Sequence, residues 1–311
     1  LVKTSLRSMN RKNEIIDSIS KKIECKNKIE FCELDLTKDD GWNEAINGCD
    51  YVLHVASPLM LGFPKNPDDI IKPAVNGLKR CLKAAVNNKV KRFVMTSSFA
   101  AIGSGFKNKI DFDDNDWTDL NNSDLNPYNI SKTKAEICLW DYINSLDENQ
   151  KIEVCTINPT VVIGPSLSND VGGSNLAISK LLDGSMPFSA RFGIDLVDVQ
   201  DVADMHLEAM LNKDAAGKRF LLSAKTMWYS EISNILRENG FKKSPKFIAH
   251  NFLIRIFSLF DKEVRLITDR LGRKFNLKTN NANQILNWTP RNIEKAIIET
   301  ANQLYKLKKV N

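Results

Sequence analysis

The chain has 311 residues, 42% hydrophobic and 26% charged, a balance that suits a packed soluble core rather than a disordered tail. No run of 18 or more apolar residues occurs and no signal peptide is expected, so a membrane partner is not expected either. The net charge of +6 is spread along the chain; its one dense run, Lys306, Lys308 and Lys309, reads as a solvated helix end rather than a nucleic-acid patch. Six cysteines (Cys25, Cys32, Cys49, Cys81, Cys138 and Cys155) form no CxxC pair and no metal-like spacing with His54, His206 or His250. A reduced, cytoplasmic protein without a metal centre is expected.

Short β-rich runs fall at 1–6, 29–36, 51–56, 92–97 and 152–162, and helical patterns at 38–48, 68–88 and 128–147. This alternation predicts an α/β fold, a parallel sheet with helices on both faces. The near-continuous apolar character of residues 51–56 suits a strand covered on both sides. Beyond Pro165 a polar, glycine-containing loop is expected over 166–175, then a helix at 176–183 and a strand at 193–199 leading into a helix opened by Asp201. A strand at 219–223 and helices near 229–239 and 292–307 complete the prediction. The expected division is a dinucleotide-binding domain over 1–165, with about 194–223 returning to it, and a smaller, mainly helical substrate lobe over 166–311.

Tyr128 and Lys132 form a Tyr-xxx-Lys pair that opens a helix after Pro127. Proline suits a first helical turn, where its missing amide hydrogen would go unpaired anyway. The i,i+4 spacing sets phenol and ammonium on one face, about 5–6 Å apart at Cβ. When hydride reaches a carbonyl carbon, the oxygen gains charge and needs a proton. A nearby cation makes a tyrosine a better acid–base group for that purpose. The pair alone also fits a tyrosine half-buried on a core face. About thirty residues upstream an apolar strand ends in Thr96-Ser97-Ser98, where ligands bind in open parallel sheets. A hydroxyl there can stabilise developing charge, or merely cap a helix. Ala56-Ser57-Pro58 is a small-residue turn that lets a cofactor approach the backbone. Pro159, inside an apolar run, suggests a strand interruption beside a ligand.

These pieces resemble an extended short-chain dehydrogenase/reductase, and most nearly the dihydroflavonol-4-reductase family with its bacterial aldehyde- and ketone-reductase relatives. The matching segments run in family order: Leu34-Asp35-Leu36, residues 52–58, Thr96-Ser97-Ser98, Tyr128 to Lys132, residues 158–165, and residues 197–203. The resemblance implies a Rossmann-type doubly wound sheet and NADPH-dependent reduction of a small-molecule aldehyde or ketone. It implies Ser98, Tyr128 and Lys132 as the catalytic set. It also implies that Asp35 and Leu36 sit at the adenine, that Val55, Ala56 and Ser57 line the nicotinamide side, that Ser97, Pro159 and Val162 lie near the nicotinamide, and that Ser174 closes over the cofactor. Asn76 matches a superfamily asparagine that this subfamily often lacks. Asp198 and Asp201 read as helix caps and strand–helix geometry. Related enzymes are monomers or homodimers.

Cofactor choice can be read from the second strand of the family, matched here by residues 1–6. An acid at its end selects NAD(H) by meeting the ribose 2′-hydroxyl. Here Leu6 is followed by Arg7, with Lys12 as a second cation, which favours the 2′-phosphate of NADP(H) unless Arg7 is only a surface charge. The family's opening strand and GxxGxxG turn have no counterpart in residues 1–311. Protein made from these residues alone is therefore expected to be poorly soluble and to bind NADPH weakly, with an upstream segment restoring both. A nucleotide-sugar epimerase or dehydratase and a hydroxysteroid-type dehydrogenase share the fold and the Tyr-xxx-Lys pair. A non-catalytic dinucleotide-sensing protein on the same fold commonly loses the Tyr or Lys that this chain keeps, and a catalytically dead fragment is the remaining alternative, given the missing glycine-rich unit. Phe99, Ala100 and Ala101 after the serine argue against a dehydratase. Phe99, Ile102, Phe106, Met186 and Phe188 suggest an apolar pocket, lined by loops around 60–66, 102–110 and 166–192.

Overall fold

A computed structural model describes residues 1–311 apart from 26, 59–63, 65, 171, 266, 308, 309 and 311. Most of the 60–66 loop and the cations Lys308 and Lys309 thus lie outside the described residues. In chain order the elements are β1 (Val2–Leu6), α1 (Lys12–Ser20), β2 (Ile29–Glu33), α2 (Trp42–Ile46), β3 (Tyr51–His54), α3 (Asp68–Asn87), β4 (Arg92–Thr96), β5 (Asp111–Asp113), α4 (Pro127–Asn144) and β6 (Glu153–Pro159). There follow β7 (Val161–Ile163), α5 (Leu176–Leu182), β8 (Gly193–Asp198), α6 (Val199–Leu211), β9 (Arg219–Leu222) and β10 (Lys225–Trp228). The last are α7 (Tyr229–Glu238), α8 (Asn251–Phe257), α9 (Lys262–Arg265), β11 (Asn276–Lys278), α10 (Asn280–Ile285) and α11 (Ile293–Lys306).

The expected run at 152–162 is two strands. The break falls at Thr160, whose amide donates to the Leu222 carbonyl at 3.0 Å. The helix expected at 38–48 shortens to α2 because Gly41, at its N-cap, holds a left-handed φ of 83°. Strands β5, β10 and β11 were not anticipated; three or four residues long, they carry too little periodicity to read.

The chain divides into two compact units. The first comprises 1–105, 117–158 and 206–220, and the second 106–116, 159–205 and 221–311. One sheet has the order β3-β4-β6-β9, and its first three strands run parallel, with Val52 opposite Phe93 and Phe93 opposite Val154. Helices α3 and α4 cover it, burying Leu78, Leu82, Leu139 and Cys81 with Phe93 and Val154. Gly77 of α3 lets Leu36 pack close: a Cβ there would lie 2.6 Å from the leucine Cδ2. Strands β1 and β2 form a separate parallel pair that, among the described residues, is not hydrogen-bonded into the larger sheet. Val2, Leu53 and Val55 are left exposed.

In the second unit β8 pairs parallel with β7 and antiparallel with β10, and β5 pairs with β11. Ile178, Leu181, Leu196, Ile232, Ile297 and Leu304 form its core. Asp198 accepts from the Gln200 amide at 2.7 Å at the start of α6, in the capping geometry expected of it. Asp201, fully buried, instead ion-pairs with Arg291 and accepts from its amide at 2.9 Å. Among the described residues no helix is long and apolar enough to cross a membrane.

Candidate active site

The buried strand β4 ends at Thr96, and the chain leaves it through Ser97 and Ser98. Ser98 caps the short 3₁₀ turn over 99–101, its Oγ accepting from the Ala100 amide at 3.1 Å. Helix α4 begins at Pro127, behind Asn126, whose Oδ1 accepts from the Asn129 amide at 2.9 Å. That cap sets Tyr128 in the first turn and Lys132 one turn on. The strand end and the helix start meet: the buried Lys132 Nζ donates to the Thr96 carbonyl at 3.2 Å, and the Ser98 side chain lies near enough to act on the Tyr128 phenol. The structure thus brings Ser98, Tyr128 and Lys132 together.

Burial dominates the electrostatics of this cluster. It raises the Tyr128 phenol above its usual range, while the bond from Ser98 pulls the other way. Burial also pushes Lys132 down to about 8, against the opposing pull of the Glu136 carboxylate. His54, at the end of β3, falls to about 4 because it is buried and because the Lys132 charge repels a second cation. An imidazole there is neutral at pH 7. Such a set can hold a phenol protonated beside a cation, with a hydroxyl ready to meet a substrate oxygen.

The residues expected at the cofactor fall in several places. Val55 and Ala56 are exposed just beyond β3, and Ser57 is half-buried. Arg7 is exposed directly after β1, and Lys12 opens α1 with Nζ 5.5 Å from the centre of the Phe31 ring. Asp35 accepts from the Thr37 amide at 2.8 Å and its hydroxyl at 2.7 Å. Those bonds, with a smaller pull from Arg7, hold its carboxyl below the usual range. Leu36 packs against Gly77. Ser97 is buried, its hydroxyl donated to Glu136. Pro159 closes β6, while Val162 and Ser174 line an open cleft of about 240 Å³ in the second unit, beside Gly164 and Val199.

Residues 4–233 match the 3-beta hydroxysteroid dehydrogenase/isomerase family. The chain belongs to that family. It is a family of NAD(P)-dependent oxidoreductases, which bears out the resemblance to extended short-chain dehydrogenases/reductases. Cinnamoyl-CoA reductase CAD2 of Medicago truncatula is 32% identical over 76% of this chain and 72% of its own length. Dihydroflavonol 4-reductase of Arabidopsis thaliana is 32% identical over 70% of this chain; the match takes in 56% of that protein. Yeast methylglyoxal/isovaleraldehyde reductase Gre2, solved with NADPH, superimposes with a TM-score of 0.80 at 22% identity, covering 99% of this chain and 92% of that one. The fold is the Rossmann-type α/β fold of such reductases.

In this member of the 3-beta hydroxysteroid dehydrogenase/isomerase family, several site neighbours were not foreseen. Glu136 is fully buried among Ser97, Thr156, Asn158 and Arg219. The available signal was a charged residue on the α4 face that also carries Leu139 and Ile143. Thr96 Oγ1 meets His206 Nε2 at 2.6 Å, a pairing with no local signature. Of the expected pocket residues, Phe99 and Ile102 are buried in the first unit, with the Phe99 ring lying where a Gly103 Cβ would be. Phe106 instead stacks near Phe112 in the second unit, at 5.6 Å between ring centres, and Phe188 is exposed.

Proposed function

We propose that this protein reduces a small aldehyde or ketone with NADPH, Tyr128 donating the proton. The observation that carries the reading is the junction of β4 with α4: Lys132, one helical turn beyond Tyr128, donates to the Thr96 carbonyl two residues before Ser98. The family and its 32%-identical reductase relatives support the reaction class. NADPH in the Gre2 structure supports the cofactor.

At its ribose, adenine and nicotinamide ends the residues present fit that cofactor, while the pyrophosphate-binding GxxGxxG turn has no counterpart among residues 1–311. The Lys132 ammonium has three N–H donors and gives one to the Thr96 carbonyl, which leaves donors for ribose hydroxyls. Val55 and Ala56 offer exposed backbone past a strand end. Arg7 is a guanidinium suited to a phosphate, with Lys12 as a second cation. Asp35 and Leu36 would meet the adenine, Ser57, Pro159 and Val162 the nicotinamide side, and Ser174 would cover it. Ser97 would act there only through its backbone, since its hydroxyl serves Glu136. When bound, the reduced nicotinamide supplies hydride.

The protein's own groups do the rest. Ser98 donates to the substrate oxygen and orients it. Tyr128, kept protonated by burial, gives that oxygen its proton as charge develops. Lys132 steadies the phenolate left behind. We place this activity in the cytoplasm. The test is NADPH oxidation against a panel of aldehydes, ketones and a 3-ketosteroid, with a sugar nucleotide as the epimerase control. Turnover of an aldehyde or ketone is expected; interconversion of the sugar nucleotide without net oxidation would contradict the reading.

A further inference from the structure

Glu136 lies on α4 one turn beyond Lys132 and two beyond Tyr128, and no part of it is exposed. A lone buried carboxylate is unfavourable, so its partners indicate what it is for. Oε1 accepts from Arg219 Nε at 2.6 Å, with Thr156 Oγ1 at 3.2 Å. Oε2 accepts from Asn158 Nδ2 at 2.7 Å and from the Ser97 hydroxyl. The same Asn158 amide reaches the Ser98 carbonyl at 3.4 Å. Arg219 in turn lies over the Trp117 ring at 3.9 Å and reaches the Ala101 carbonyl at 3.4 Å. One carboxylate therefore gathers the end of β4, β6 and β9 directly behind Ser98.

It also lies one turn from Lys132 on the same buried face of α4, and its charge acts on the ammonium, which in turn acts on His54 of β3. From β4 the ammonium meets the Thr96 carbonyl, whose hydroxyl carries His206 of α6. Helix α3 packs on α4 through apolar residues and the Cys81 thiol, which burial pushes up to about 12 and so keeps neutral. On β6, Thr156 and Asn158, both neutral, meet Glu136 itself, and burial keeps the Cys155 thiol neutral. Among these groups Glu136 is the anion.

We propose that Glu136 is a positioning residue of this site: it fixes Ser97 and Ser98 from behind, and it is the counter-charge that keeps Lys132 an ammonium. This rests on the reading of Ser98, Tyr128 and Lys132 as the reacting set. Burial brings Lys132 down to about 8 even against the pull of the carboxylate, so removing the carboxylate takes the amine lower still.

The test reads Lys132 directly and needs no turnover. Lysine ¹³Cε shifts are titrated in the whole protein, the Lys132 signal being the one lost in Lys132→Arg. Glu136→Gln is expected to lower its midpoint by at least about one pH unit, and Glu136→Asp, which keeps the charge, to return it toward the parent. A folded Glu136→Gln whose midpoint stays within about 0.3 unit of the parent overturns the proposal. The single change leaves Arg219 buried beside a neutral amide and can cost the fold. The pair Glu136→Gln with Arg219→Gln removes both charges together and should show a fall in the same direction, smaller because the lost Arg219 cation offsets part of it. An unchanged midpoint there is equally fatal. A protein with no reductase activity would defeat the proposed reaction while leaving this titration fully readable. In an active one, the alkaline limb of kcat shifts down with the lysine, and KM for substrate moves little.

Discussion

The two ends of the proposed cofactor track are built differently. At the reaction end, Lys132 is buried, and Tyr128 and Ser98 are half-buried against a closed network of Glu136, Asn158, Thr156 and Arg219. At the nucleotide end Arg7 and Lys12 stand exposed after β1, on a strand pair not hydrogen-bonded to the main sheet among the described residues. Burial moves proton affinities and punishes the loss of a partner, whereas exposed charges are screened and contribute modestly. Substitutions at the first end should therefore act on chemistry, and at the second on cofactor preference.

The largest expected effect is at Tyr128. Tyr128→Phe should lower single-turnover reduction by about 10²–10⁴-fold while NADPH affinity, measured by titration calorimetry, changes little. A variant keeping more than about half of the parent rate removes the phenol from the chemistry. Next is Lys132, charged below a pH of about 8 and neutral above it. The parent's kcat should fall as pH rises through that value. Lys132→Met should be slow at every pH and lose that alkaline limb; a Met variant that keeps the limb would assign it elsewhere.

Smaller effects belong to the exposed end. Arg7→Asp should narrow or invert the ratio of kcat/KM for NADPH over NADH, by roughly tenfold at low salt and less as ionic strength rises. Equal parent values for the two cofactors would make Arg7 a surface charge only. A further effect, on stability rather than turnover, concerns His54. The unfolded chain binds its proton near pH 6.5 and the folded one only near 4, so stability should fall as pH drops through that window. His54→Asn should flatten the melting temperature between pH 6.5 and 4; an unchanged slope would mean other groups dominate.

The same contrast explains what could be read from the sequence. Tyr128 and Lys132 were legible because helix periodicity and the Asn126–Pro127 start are local, and Ser98 because an apolar strand visibly ends there. Glu136 was not, since its partners come from β4, β6 and β9, between 20 and 83 residues away. Phe99 and Ile102 misled for the same reason: an apolar run after a strand looks alike whether it lines a pocket or fills a core. Strands β5, β10 and β11 exist only through tertiary pairing, which three or four residues do not announce.

The proposed reaction delivers hydride to a carbonyl, with a proton from the protein. Its most direct measurement uses NADPH deuterated at nicotinamide C4 with an aldehyde that the protein turns over, followed by mass and NMR analysis of the alcohol. One deuterium is expected on the carbinol carbon, with one NADPH consumed per alcohol and a drop of about 10²–10⁴-fold in that rate for Tyr128→Phe. No NADPH consumption across the carbonyl panel, or deuterium washed into water instead of appearing on the carbinol carbon, would contradict it.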